Sequence, residues 1–148
     1  MSVRLGFVSL EVRWWIVLAC VLGLALSPWI LEALLIPLAY LVLLLHEVGH
    51  AVAQRAMFGV KSTVRLFGVL RGRSTSILPR PATRRERVIF LLSGPLTGIS
   101  AGLTLLALSV GLALGWVFVV GSCIITSFHV YNLTPIKDGS DGSVIWKG

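Results

Sequence analysis

The chain has 148 residues, a net charge of +7 and a mean hydropathy of +0.92, and 56% of its residues are hydrophobic while only 13% are charged. Because soluble domains contain about 25% charged residues, this composition excludes an ordinary soluble protein and predicts an integral membrane protein. The length predicts a single domain covering residues 1–148, and the two cysteines, Cys20 and Cys123, form no CxxC pair that would indicate a metal knuckle.

Four apolar segments are long enough, or nearly so, to cross a bilayer, which requires about 20 residues. They cover residues 12–27, 29–56, 86–111 and 114–132. The first segment follows two arginines and therefore also resembles a secretory signal peptide. We favour a retained helix, because Pro28 would lie directly after the candidate cleavage site and the second apolar segment follows at once.

The positive charges are distributed unevenly along the chain. All 13 Lys and Arg lie in the N-terminus, between Arg55 and Arg87, or after the fourth segment, and the turns at 27–32 and 111–116 contain none. The positive-inside rule then predicts that both termini and the loop at 57–85 lie in the cytoplasm. The membrane is expected to be a bacterial or archaeal cell membrane. We expect the loop to contact anionic headgroups, and we do not expect nucleic-acid binding, which requires basic and aromatic residues on a soluble face.

The end of the second segment carries the motif "HEVGH" at residues 46–50. His46 and His50 are four residues apart, so on a helix they share one face and can bind one metal ion. Glu47 lies next to that face, where it can take a proton from a metal-bound water and pass it to a leaving amine. Because His46 lies about 13 Å along the helix from Arg55, these groups are within the hydrocarbon, where an ionisable side chain costs at least about 2.5 kcal/mol. Such a cost indicates a function.

The stretch "STVRLFGVL" at 62–70 lies between the second and third segments and is rich in β-branched and apolar residues. Its partial alternation predicts a strand of a small β-hairpin. The exposed edge of such a strand can pair with an extended peptide, although an ordinary surface hairpin is the alternative.

Two histidines are too few for a catalytic zinc site, which has three protein ligands and an open position for water. The loop "YNLTPIKDGSDG" at 131–142 follows the fourth segment on the same side of the membrane as the two histidines. Pro135 prevents the helix from continuing, and the glycines in the loop let the backbone fold back. The loop contains two aspartates, Asp138 and Asp141, and either can supply the third ligand.

Three motifs occur in the order found in the site-2 protease family of intramembrane zinc metalloproteases, which the chain resembles over nearly its whole length. They are "HEVGHAVAQRAMFGV" at 46–60, "SGPLTG" at 93–98, and Asn132 with Pro135 and a downstream Asp-Gly. The resemblance implies an all-α membrane protein with four transmembrane helices. Three of these helices form a catalytic core, one precedes it, and a small β-hairpin lies between helices two and three.

The resemblance also implies an activity. Proteins of this family hydrolyse peptide bonds of transmembrane helices, so the expected cofactor is Zn²⁺ and the expected partner is a single-span membrane protein in the lipid bilayer. Glu47 is then the catalytic residue that activates water, and Asn132 is expected to bind substrate. A helical substrate has to unwind first, because its carbonyls are otherwise hydrogen-bonded within the helix.

The spacing of the last motif decides which aspartate we expect to bind zinc. The family most often places its Asp eight residues after the Asn, whereas Asp138 is six and Asp141 nine residues after Asn132. Asp141 is the smaller departure, and the apolar "VIW" that follows it resembles the start of another membrane-docked segment. The predicted ligands are therefore His46, His50 and Asp141, and Asp138 is interpreted as a turn residue.

Two further features have ordinary explanations. The family often has an asparagine a few residues after its Gly-Pro, where this chain has Gly98, so we do not expect the polar contact with substrate or a neighbouring helix that the asparagine would make. Gly94 and Gly98 also form a small-xxx-small pair, which predicts close helix packing, the interpretation we favour. His129 shares a helix face with Asn132, but we expect it to bond a neighbouring helix rather than to belong to the site.

Two other classes of function remain as alternatives. A proteolytically inactive homologue would bind membrane helices without cutting them, but it would lack the base or a ligand, and Glu47 and both histidines are present. A small metal transporter would place polar residues along a path through the membrane, and only Glu32 is ionisable on the far side.

Overall fold

In this computed structural model the described residues are 2–26, 33–68, 71–135 and 141–147. Two strands open the chain, two more follow the second helix, and the remaining elements are helical. In chain order the elements are β1 (Ser2–Leu5), β2 (Val8–Val12), α1 (Trp14–Leu26), α2 (Leu35–Phe58), β3 (Ser62–Gly68), β4 (Arg71–Thr75), α3 (Arg84–Gly111), α4 (Trp116–Asn132) and α5 (Asp141–Lys147). The protein is thus mostly helical with one small sheet.

Two of the helices, α2 with 24 residues and α3 with 28 residues, are long and apolar enough to cross a membrane. The other two apolar helices, α1 and α4, have 13 and 17 residues and are shorter than the usual span. Large apolar side chains are exposed on the outer surfaces of these helices, including Val21, Leu103, Leu108, Trp116 and Ile124. Such a surface suits lipid rather than water, so the helices indicate an integral membrane protein. The four-span arrangement stays a prediction.

The loop between α2 and α3 begins and ends at defined caps. Gly59 adopts the left-handed conformation (φ 68°) and its N–H bonds the Arg55 carbonyl at 2.9 Å, which ends α2. At the start of α3 the Thr83 hydroxyl accepts a hydrogen bond from the Glu86 N–H, and the Glu86 carboxylate accepts one from the Thr83 N–H. This capping box starts α3 at the end of the loop.

The small sheet differs from the predicted hairpin. The hairpin β3–β4 is present, but β2 pairs in parallel with β3 and β1 pairs with β2, so the sheet has four strands in the order β1-β2-β3-β4. The two N-terminal strands were not predicted. Their pairing depends on β3, which lies about fifty residues further along the chain (Val8 faces Ser62), and local sequence patterns do not contain that information.

The sheet packs on one face of α2. Val8 and Val64 form a buried cluster with Ala51. Leu66 forms a second buried cluster with Leu43 of α2 and Ile16 of α1. Beside these clusters the buried Ser62 hydroxyl donates a hydrogen bond to the Gln54 side-chain oxygen at 2.9 Å. These contacts hold the sheet against α2, so that β4 lies beside the part of α2 that carries the HExxH motif.

Candidate metal centre

The two histidines of the HExxH motif meet an aspartate from α5. His46 and His50 are 5% and 4% exposed on α2, and Asp141 is the first residue of α5. Asp141 Oδ2 lies 3.4 Å from His46 Nε2 and 3.5 Å from His50 Nε2. One ligand atom from each residue therefore faces a common point, and these three atoms lie within 4.8 Å of one another.

These separations fit a bound zinc ion. Both Nε2–Oδ2 distances are longer than the 2.7–3.2 Å range of an N–H···O hydrogen bond. Zinc binds imidazole nitrogen and carboxylate oxygen at about 2.0–2.2 Å, so two ligands at a tetrahedral angle lie about 3.3–3.5 Å apart. Two imidazoles and one carboxylate also leave the fourth position open, as in catalytic zinc sites. The donor set and the two histidine–aspartate separations therefore fit zinc.

The proton on His50 is placed by α3. Its Nδ1 lies 2.7 Å from the Phe90 carbonyl oxygen, and a carbonyl can only accept a hydrogen bond. The Nδ1 therefore carries the proton, and the lone pair on Nε2 is directed at the common point with Asp141. An outer hydrogen bond of this kind orients a metal-binding imidazole and increases its basicity.

His46 has a comparable partner that sequence reasoning had placed outside the site. Its Nδ1 lies 3.1 Å from Nδ1 of His129, which is 2% exposed on α4. His129 does bond a neighbouring helix, as predicted, but its partner on that helix is one of the candidate ligands. The sequence contained one indication that His129 lies near the site, because it is one helical turn before Asn132 and on the same helix face.

Asn132, predicted to bind substrate, contacts the third candidate ligand. Its side-chain N–H donates to Asp141 Oδ2 at 2.7 Å, although nine residues separate the two. The glycine after Asp141 permits this approach, because a Cβ on Gly142 would lie 2.2 Å from the Leu133 carbonyl oxygen. The start of α5 is thereby held against the end of α4. Asp138 lies outside the described residues.

Glu47 lies on the other side of the candidate centre, against the sheet. Its side chain is 6% exposed and lies beside the Ser74 backbone. A Cβ on Gly72 would lie 2.8 Å from a carboxylate oxygen of Glu47, so glycine leaves room for the acid beside β4. A cavity of about 560 Å³ is lined by Glu47, the three candidate ligands, Asn132, His129 and β4.

The two glycines of the "SGPLTG" motif lie beneath the histidine rings. A Cβ on Gly94 would lie 2.2 Å from His50 Nε2, and a Cβ on Gly98 would lie 2.6 Å from His129 Nδ1. One turn further, a Cβ on Gly102 would lie 2.4 Å from the Thr126 hydroxyl. The predicted close packing is present, and at its first two positions it makes room for imidazoles of α2 and α4.

The arrangement was compared with known proteins. The solved structure of a site-2 protease from Methanocaldococcus jannaschii is similar to the chain with a TM-score of 0.65, covering 99% of this chain and 70% of that one at 20% sequence identity. The chain has the fold of a site-2 protease. No protein-family model matches the sequence, and neither does any curated protein. The resemblance that three short motifs indicated is therefore confirmed in the fold, and the candidate metal centre lies within that site-2 protease fold.

Proposed function

We propose that the chain is an intramembrane zinc metalloprotease of the site-2 protease family, which hydrolyses peptide bonds of transmembrane substrate helices. One observation carries this proposal. His46, His50 and Asp141 present their ligand atoms to one point, and Glu47 borders the same cavity in a fold shared with a site-2 protease.

In this proposal each residue has a separate role. The two histidines and Asp141 hold zinc, and Asn132 holds Asp141 through its 2.7 Å hydrogen bond. When bound, zinc supplies a Lewis acid that polarises the scissile carbonyl and acidifies water. Glu47 takes the proton of the attacking water and transfers it to the leaving amine.

The edge strand β4 is the proposed binding surface for substrate. Within the described sheet β4 pairs only with β3, so its other edge is open to an extended peptide. The Ser74 hydroxyl is buried and has no hydrogen-bond partner among the described residues, and Ser74 lines the cavity. An unwound single-span substrate lying along β4 would pass Glu47 and satisfy that hydroxyl. Asn132 is proposed to contact this segment as well.

The location of the site follows from charge. Nine of the 13 Lys and Arg lie between residues 55 and 87, within or beside the loop that contains β3 and β4, and the turn after α3 has none. By the positive-inside rule the active-site side and both termini are proposed to face the cytoplasm. The membrane is proposed to be a bacterial or archaeal cell membrane.

Reconstitution in liposomes tests the proposed function. Purified chain loaded with zinc is mixed with single-span reporter proteins that carry different transmembrane sequences, and mass spectrometry of the products locates any cleaved bond. We expect a cut within or next to the transmembrane segment, and we expect a chelator to abolish it. One bound zinc per chain without cleavage of any reporter would instead favour a proteolytically inactive homologue.

A further inference from the structure

His129 is a buried, titratable residue to which the proposed mechanism assigns no role. Its Nδ1 lies 3.1 Å from His46 Nδ1, and the two ring centroids are 5.0 Å apart with an angle of 29° between the ring planes. Two imidazole nitrogens at hydrogen-bond distance share one proton, which one ring donates and the other accepts. The direction of this bond therefore sets the tautomers of both rings.

The position of Asp141 determines which of the two imidazoles, His46 or His129, donates this hydrogen bond. His46 turns its other nitrogen, Nε2, toward Asp141 Oδ2 at 3.4 Å, and a nitrogen that binds a metal carries no proton. In neutral His46 the proton is then on Nδ1, so His46 donates and His129 accepts. The proton of neutral His129 is consequently on its own Nε2.

We propose that His129 is a positioning residue, which accepts the hydrogen bond from His46 Nδ1–H and thereby fixes the tautomer and the ring orientation of this metal ligand. The inference rests on the proposed zinc site. His50 has the same support from the Phe90 carbonyl at 2.7 Å. Each ligand imidazole thus has one outer acceptor, a main-chain carbonyl for His50 and a side chain for His46. The side-chain acceptor can be removed by mutation without breaking the helix.

Gly98 of α3 leaves the space that the His129 ring occupies. A Cβ on Gly98 would lie 2.6 Å from His129 Nδ1 and 2.7 Å from its Cγ, so any other residue would displace the ring from its observed position. One turn further along the same helix pair, a Cβ on Gly102 would lie 2.4 Å from the Thr126 hydroxyl. The two glycines therefore offer matched substitutions. A methyl group at Gly98 would contact the His129 ring, whereas one at Gly102 would disturb only the packing against Thr126.

The first test compares two substitutions of His129 by the zinc affinity of the purified full chain, measured by competition with a fluorescent chelator. His129→Leu removes the acceptor, and we expect zinc to bind about 10- to 100-fold more weakly, the usual loss for an outer hydrogen-bond partner. In His129→Asn the side-chain oxygen can take the place of Nδ1, and we expect an affinity within a few-fold of wild type. The thermal unfolding of the metal-free variants is measured in parallel.

The second test uses the glycine pair. Gly98→Ala should weaken zinc binding as His129→Leu does, whereas Gly102→Ala should leave the affinity near that of wild type. Equal zinc affinities of His129→Leu and wild type would overturn the inference. So would an Asn variant as weak as the Leu variant, or equal losses in the two glycine variants, which would show a purely structural role.

Zinc affinity and the liposome cleavage assay, both measured on the wild-type chain, separate this inference from the proposed function. Zinc binding without proteolysis in the wild-type chain would overturn the proposed protease activity and leave the role of His129 standing. A wild-type chain that binds no zinc would overturn both.

Discussion

Gly94 and His50 lie so close that a Cβ at position 94 would be 2.2 Å from His50 Nε2, the atom that faces Asp141. The other nitrogen of the same ring bonds the carbonyl of Phe90, one turn earlier on α3. Helix α3 therefore positions His50 in two ways. Gly94 leaves space for Nε2, and the Phe90 carbonyl oxygen accepts a hydrogen bond from Nδ1. The Gly-Pro motif is part of the candidate metal centre although it contributes no ligand.

Replacing Gly94 by alanine should therefore impair the metal centre. The added methyl group would displace His50 Nε2, and we expect zinc affinity to fall at least about tenfold. Gly111→Ala, in the same helix, is the matched control because a Cβ there meets no atom within 4 Å. A chelator-competition titration measures both variants. Unchanged affinity in Gly94→Ala would mean that the His50 ring is placed differently from the structure.

Glu47→Gln separates the proposed base from the ligands. The amide cannot accept the proton of the attacking water, so we expect cleavage to fall by about 10² to 10⁴, while zinc content stays near one per chain. Glu11→Gln, on the surface strand β2, should leave both unchanged. Product formation in liposomes and elemental analysis are the two measurements. A Gln variant that cleaves at the wild-type rate would remove Glu47 from the mechanism.

The third ligand can be tested with two aspartate substitutions. Asp141→Asn should lower both zinc occupancy and cleavage, because Oδ2 of Asp141 faces both histidines. Asp138→Asn should retain both, since we interpret Asp138 as a turn residue. If Asp138→Asn is the variant that loses zinc, the assignment of Asp141 is wrong.

Ser74 provides a test of the proposed substrate surface. The Ser74 and Ser76 hydroxyls are both buried without a hydrogen-bond partner in the described ranges, but only Ser74 is among the residues lining the cavity of the metal centre. A hydrogen bond contributes about 0.5–1.5 kcal/mol, so Ser74→Ala should lower kcat/KM by about 2- to 12-fold. Ser76→Ala should not change it. Equal kcat/KM values for Ser74→Ala and wild type would remove this contact from the substrate surface.

Cysteine labelling tests the orientation in the membrane. In a background without Cys20 and Cys123, a cysteine at Ile77, which is 92% exposed, should react with an impermeant reagent only from the cytoplasmic side. A cysteine at the exposed Ala113, in the turn after α3, should react only from outside. The reverse pattern would contradict the assignment based on charge.

Local sequence determined the parts of this protein that depend on neighbours in the chain. The spacing of four residues places His46 and His50 on one face of any helix. The predicted second segment ends at residue 56, close to the observed end of α2 at Phe58. Apolar length predicts the helices, and two of them are long enough to cross a bilayer.

Tertiary structure decided the parts that depend on contacts between distant segments. The choice between Asp138 and Asp141 stays a prediction, because a loop of irregular length can direct either carboxylate and Asp138 lies outside the described residues. The contact of Asp141 with both histidines depends on how α5 packs against the end of α4. Likewise, 83 residues separate His46 from His129, and β2 reaches β3 across two helices. Hydrogen bonds between such segments are set by helix packing, which no pattern of adjacent residues encodes.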